Sequence, residues 1–243
     1  MIQTLPPAAG PDAPAPDDAP RPADVWGARI AASLSKAALH EFAAEDNAAS
    51  ASAFALLANP TDKPILWLRD DRARQQCGRV YGPGLIDLGI DPARLVLVDA
   101  PDAKALLKAA VDGLRCGELG LVLIELPGQS PALDLTATRR LTLAAERSGV
   151  KALLIRTAAN PEPSAAWTRW KIETAPSAPF PADAPGHACF SIELLRDRAG
   201  RPGFSAELEW HRDERLFREP RLSGAMASLS VDGTPDPGWR RTG

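Results

Sequence analysis

Between residues 39 and 156 the hydrophobic pattern changes period four or five times, passing from short apolar runs to stretches with helical spacing and back. A chain that alternates in this way builds right-handed strand–helix–strand units and lays its strands side by side in a parallel sheet. Residues 121–126 make the point most directly. Leu121, Val122, Leu123, Ile124 and Leu126 form an apolar run with Glu125 at its end, as a central strand covered on both faces requires. Further strands are expected at residues 39–43, 65–68, 95–98 and 152–156. An Ala-rich helix is expected at about 47–58, a polar one at about 71–80 and another at about 133–147, the last ended by Gly149 as a left-handed cap. After Asp102, Ala103, Leu106, Leu107, Ala110, Val111 and Leu114 fall on one helical face, with Asp102 as the N-cap.

Beyond residue 160 the period becomes two. Trp170 and Ile172 alternate with Arg169, Lys171 and Glu173, and the same alternation returns at 189–196 and 204–210 around a Gly- and Pro-containing turn at 199–203. The sheet is therefore expected to end in antiparallel strands. Residues 1–24 hold seven prolines and four aspartates and almost no bulky apolar side chain, which predicts a disordered leader. Residues 219–243 read as a flexible tail, which leaves one α/β domain at 25–218.

The formal net charge of −3 and pI near 5.7 rule out a global field that would draw the chain onto nucleic acid or an anionic membrane. Cys77, Cys116 and Cys189 are odd in number and widely spaced, which argues against a disulfide framework or a thiolate zinc site. No window approaches the roughly 18 apolar residues that span a bilayer. A reducing, cytoplasmic setting is expected.

In a parallel α/β sheet the ligand site lies beyond the carboxyl ends of the strands, and the first strand-to-helix loop is the first place to look. A phosphate loop needs glycines, so that backbone N–H groups can curl around phosphates, and a lysine to neutralise them. Neither residue occurs between His40 and Ala58. Glu45 and Asp46 instead put carboxylates where phosphates would lie, and Asp46 or Asn47 can cap the helix itself. Glu125 stands where a phosphate-loop ATPase carries its magnesium-positioning carboxylate, but it has no phosphate loop to work with. Gly128, Ser130 and Ala132 imitate a nucleophile elbow, with Asp183, Asp197, His187 and His211 as imaginable triad partners. Pro131 decides against it: the oxyanion hole uses the backbone N–H after the nucleophile, and proline has none. Ser130 and Pro131 read instead as a helix start. His40 reads as a structural histidine on a strand. No catalytic residue, cofactor or metal is expected.

Charge is uneven in one region. From Arg139 to Lys171 there are seven basic residues against two acids, Glu146 and Glu162. A docking face for an acidic partner or for DNA is thus expected around Arg139, Arg140 and Arg147, with a second candidate at the hairpin residues Arg196, Arg198 and Arg201. A mixed, solvated surface is the alternative at both places.

Several blocks carry a resemblance, in order, across residues 38–218. They are Leu39-His40-Glu41, Pro64-Ile65-Leu66-Trp67, Tyr81-Gly82-Pro83-Gly84, Asp91-Pro92-Ala93-Arg94-Leu95, Asp134-Leu135-Thr136-Ala137-Thr138-Arg139-Arg140-Leu141, Thr168-Arg169-Trp170, and the run from Glu193 to Gly203. Together they resemble the ImuA family, inducible-mutagenesis proteins related to RecA and SulA. The resemblance implies a RecA-like three-layer fold of the P-loop NTPase superfamily with a degenerate Walker A motif, a mainly parallel central sheet and antiparallel C-terminal strands. It further implies a non-catalytic accessory role in damage-induced (SOS), error-prone translesion DNA synthesis. The implied partners are an ImuB-type polymerase relative, a second DnaE-type polymerase and RecA, with DNA contacted weakly or indirectly. Residues 157–166 depart from RecA in being short and Pro-rich where a mobile DNA-binding loop would stand. Two alternatives remain: a SulA-like inhibitor of cell division, and a residual nucleotide-binding enzyme that would rest on Glu125 and the fold.

Overall fold

The computed structural model describes residues 25–45, 48–158 and 163–220. The expected leader at 1–24, the expected caps Asp46 and Asn47, and residues 221–243 of the expected tail lie outside the described residues.

The first described element is α1 (Val25–Ser33), for which the sequence pattern carries little signal, since Ile30 and Ser33 are the helix residues it buries. Trp26 holds it in place, packing on Phe204 at 5.8 Å and donating from Nε1 to Glu219 Oε1 at 3.0 Å. Then come β1 (Leu39–Ala44), α2 (Ala48–Leu57), β2 (Ile65–Asp70), α3 (Asp71–Cys77), α4 (Gly82–Asp87), β3 (Leu95–Ala100), α5 (Ala103–Leu114), β4 (Leu121–Glu125), α6 (Leu135–Ser148) and β5 (Lys151–Thr157). The strands β6 (Thr168–Thr174), β7 (Ala188–Asp197), β8 (Ser205–His211) and β9 (Leu216–Arg218) complete the order.

Among the described residues nine strands join one sheet in the order β3-β2-β4-β5-β1-β6-β7-β8-β9. The first six strands pair in parallel with one another, β1 lying between β5 and β6. From β6 onward the pairing is antiparallel. The expected mixture of parallel and antiparallel strands is therefore present, with β6 as the strand that turns one regime into the other. Strand β9 is a three-residue edge carried by the buried Phe217, and no strand is expected there from the sequence.

Helix boundaries follow the caps. Asp70, Asp102 and Asp134 each accept the backbone N–H three residues on, and Gly149 closes α6 in the left-handed region at φ 78°. Two expectations shift for this reason. The helix expected at 71–80 stops at Cys77, because Gly78 takes a φ of 70°, and a separate turn of helix, α4, follows with Pro83 in its first turn. The helix start expected at Ser130 and Pro131 lies instead at Leu135, where the Asp134 carboxylate accepts from Ala137 N at 2.7 Å and Ser130 offers no comparable cap.

The sheet divides the core into two layers. On one face Phe42, Leu123, Ile155 and Trp170 pack beneath α2, where Phe54 lies within 6.2 Å of Phe42, 6.1 Å of Trp170 and 5.8 Å of Phe190, centroid to centroid. On the other face Leu39, Ile124 and Leu154 pack beneath α5 and α6 through Leu106, Ala110 and Leu141. Phe54 is thus a keystone of one layer and Asp134 a local helix start on the other. In urea denaturation, Phe54→Ala is expected to cost about 3–5 kcal/mol and Asp134→Ala only about 1 kcal/mol.

Candidate functional site

The carboxyl ends of β1, β2, β4 and β5 lie where a parallel α/β sheet holds its ligand, and what fills that place here is a buried charge network. Glu125 ends β4 on the α2 side of the sheet. Its Oε1 accepts from Ser52 Oγ of α2 at 2.9 Å, and its Oε2 accepts from Arg69 Nε at 2.5 Å. Arg69, near the end of β2, spends its other nitrogens on the carbonyls of Gly78 at 2.8 Å and Ala73 at 3.2 Å, and so also fastens the end of α3. The side chains of Arg69 and Glu125 are 6% and 5% exposed. Two charges so far from water are tolerated only because each is answered by the other and by further hydrogen bonds. Both carboxylate oxygens are committed, and the loop after β1 has neither glycine nor lysine. These residues do not fit a nucleotide phosphate with its magnesium ion.

A second buried carboxylate lies on the opposite face. Glu41 of β1 accepts at Oε2 from Ser164 Oγ at 2.7 Å and from Arg169 Nε and Nη2 at 3.0 and 2.9 Å, with Arg156 of β5 at 3.8 Å from Oε1. The cluster ties β5, β1 and β6 together across three adjacent strands. Glu45, expected to put a carboxylate where phosphates would lie, is turned toward β6. It accepts from Lys171 Nζ at 2.5 Å, which lowers its own pKa and raises that of the lysine.

His40 is satisfied as expected. It is fully buried, with Nε2 2.9 Å from the Lys36 carbonyl and Nδ1 2.8 Å from Thr168 Oγ1. A carbonyl can only accept, so Nε2 carries the proton of the neutral ring and Nδ1 accepts from the hydroxyl. Burial drives its pKa down to about 4 from 6.5.

Ser130 is buried, and the imagined triad partners are elsewhere. His187 and His211 lie against each other at 4.2 Å, centroid to centroid, with their planes tilted by 41°, at one end of β7 and β8, while Asp197 holds Arg201 at 3.2 Å at the other end of β7. Strand β7 is four places from β4 in the sheet, about 19 Å away at ordinary strand spacing. The side chain of Asp183 lies outside the described residues. Among the described residues no group of three or more His, Cys, Asp or Glu side chains is placed to hold a metal ion, and no helix is long and apolar enough to cross a membrane.

The basic candidates separate into two places. Arg139, Arg140 and Arg147 are exposed on α6, and none of them makes an ion pair among the described residues. Arg140 and Arg147 line a groove of about 400 Å³ between α5 and α6, together with Arg115, Val111, Leu143 and Ala144. Arg115 was not singled out by its sequence context, although the polar face of the helix after Asp102 contained the signal. Arg196, Arg198 and Arg201 are on the β7–β8 hairpin, which is attached to the start of β6 through Arg198 N and the Trp167 carbonyl at 3.0 Å. There Arg201 is already paired with Asp197, and burial together with the nearby Arg196 lowers the Arg198 pKa. Arg69, Arg156 and Arg169 were also missed, because a basic residue on a strand gives no local hint of a buried acid far along the chain.

No model of a known family matches the chain. Among solved structures, the RadB recombinase superposes with a TM-score of 0.54 over 79% of this chain and 96% of that one, at 14% sequence identity. The fold is RecA-like. SulA from Pseudomonas aeruginosa covers 49% of the chain at a TM-score of 0.38 and 22% identity, too slight a likeness to assign a shared fold. Among curated proteins, the chain is 36% identical over 135 residues to Protein ImuA of Caulobacter vibrioides, in both strain NA1000 / CB15N and strain ATCC 19089 / CIP 103742 / CB 15. The match takes in 51% of this chain and 54% of each relative, so the chain spans about half the length of the curated relatives it matches. It is consistent with the ImuA resemblance carried by the sequence blocks.

The Arg69–Glu125 pair predicts a non-additive double-mutant cycle. Arg69→Met leaves a buried carboxylate unanswered and is expected to cost about 3–5 kcal/mol in denaturant titration, whereas Arg69→Met with Glu125→Leu recovers most of that loss. His40 predicts a pH window. The folded ring resists protonation while the unfolded ring does not, so the stability it contributes is present above pH 6.5 and is lost as the pH falls to about 4. The loss is on the order of 3 kcal/mol. Thermal melts of wild type and His40→Gln across that window should converge toward the acid end.

Proposed function

We propose that this protein is a RecA-like accessory factor of damage-induced, error-prone translesion DNA synthesis. In this reading it is not an enzyme. It acts by holding an ImuB-type polymerase relative and, through it, a second DnaE-type polymerase, with RecA and DNA as weak or indirect contacts. The observation that carries the proposal is the 36% identity to Protein ImuA over 135 residues. The RecA-like fold supports it, and so does the strand-end site. Where nucleotide chemistry would need a phosphate loop and a free carboxylate, this chain has an alanine-rich helix start and a glutamate held by Ser52 and Arg69. What the geometry offers to function is therefore surface rather than chemistry.

Deleting the gene is expected to bring the damage-induced mutation frequency down to the uninduced level, with survival of undamaged cells unchanged. The purified protein should retain the ImuB-type relative at moderate and high salt and give no magnesium-dependent heat of ATP binding. Normal induced mutagenesis in the deletion strain would overturn the proposal.

A further inference from the structure

On a chain of net charge −3, the outer face made by α5 and α6 carries an excess of basic residues. Lys104, Lys108 and Arg115 lie exposed along α5, and Arg139, Arg140 and Arg147 along α6. The two helices and their caps hold four acidic residues, and all are already engaged: Asp102 and Asp134 cap their own helices through Ala105 N and Ala137 N, Asp112 pairs with Arg115 at 3.2 Å, and Glu146 pairs with Lys36 at 2.8 Å. The arginines of α6 are left without an acid among the described residues.

The same face carries apolar surface that solvation alone does not explain. Leu135 is 53% exposed and Leu143 is 38% exposed. With Arg139 and Arg147 they form a stripe at four-residue spacing along α6, about 18 Å from end to end at helical rise. Beside that stripe runs the groove of about 400 Å³, floored by Val111, Leu143 and Ala144 and walled by Arg115, Arg140 and Arg147. The floor is firm. Directly beneath it Leu106, Ala110, Leu141 and Ala145 are buried against the sheet, so the groove does not depend on mobile loops.

We propose that the α5–α6 groove docks an acidic amphipathic helix of a partner protein, its leucine-type side chains set on Val111, Leu143 and Leu135 and its carboxylates on Arg140, Arg147 and Arg115. The charge selects an acidic occupant, and the exposed leucines select a peptide over a nucleic acid, whose phosphates would have no use for them. The span of the stripe suits about three turns of helix. The proposal rests on the protein being an assembly factor and adds the chemistry of the partner and the face that receives it.

The test uses the full chain and a fluorescein-labelled helical peptide of about fifteen residues, with leucines at positions i, i+4 and i+7 and glutamates between them. A lysine-for-glutamate version and a single-stranded oligonucleotide serve as competitors. Saturable binding of the acidic peptide is expected, weakened about tenfold or more by Arg140→Glu with Arg147→Glu. Leu143→Asp should weaken it comparably, because the apolar floor is lost, whereas Arg201→Glu, which does not line the groove, should leave it unchanged. The lysine peptide should not compete. Absence of peptide binding, or oligonucleotide binding that depends on the arginines but not on Leu143, would overturn the groove as a peptide site. The two proposals fail separately. If the translesion reading is wrong, gene deletion leaves induced mutagenesis normal while the peptide still binds. If the groove is wrong, the deletion phenotype stands and the Arg140→Glu, Arg147→Glu protein complements it fully.

Discussion

Strand β1 is buried on both faces and paired on both edges, and the rest of the molecule is arranged around that position. Its hydrogen bonds run in parallel to β5 on one side and β6 on the other, so every backbone donor and acceptor in its middle is satisfied without water. The side chains it sends to the two faces differ in kind. Phe42 stacks on Trp170 in an apolar layer, while Glu41, one residue earlier, draws Arg156 and Arg169 of the two neighbouring strands toward itself. A strand that presents a phenyl ring to one face and a carboxylate to the other cannot slip by one residue without burying the wrong group in each layer. The register of the central sheet is held by chemistry as well as by packing.

The same economy appears at the strand ends. A RecA-like architecture brings several strand termini and one helix start to a common point, and in this chain that point is closed by Arg69, Glu125 and Ser52. Removing either charge would strand the other in a place with a low capacity to solvate it. The network has therefore become a structural fastening between β2, β4, α2 and α3. Positive charge that faces outward is concentrated instead on α5 and α6, the helices that cover the opposite face of the sheet. The inward ion pairs hold the scaffold together, and the outward arginines of α6 make no ion pair within the described chain.

Much of this was legible in the residues. The alternation of apolar runs with helical spacing located β1 to β5, Asp102 and Gly149 marked helix ends by the local hydrogen bonds they make, and Pro131 was enough to remove Ser130 from consideration as a nucleophile. Other features had no local sign. Helix α1 buries few side chains and relies on Trp26 reaching Phe204 and Glu219, and β9 is three residues whose strand identity comes from Phe217 docking on Trp210 at 4.9 Å. Arg140 was singled out by its charge, yet its neighbours across the groove, Val111 and Arg115, belong to another helix.

By itself the sequence determined the kind and order of the elements, the helix caps and the missing phosphate loop, because each depends on residues within a few positions of one another. Tertiary structure alone decided that β1 would sit between β5 and β6, that Glu125 would be met by Arg69 at a separation of 56 residues, that Glu41 would be met by Arg169 at 128, and that the basic faces of α5 and α6 would share one groove. The physical reason is the same in each case. A buried charge or an open edge is costly until something distant in sequence answers it, and only the folded chain brings that answer within hydrogen-bonding reach.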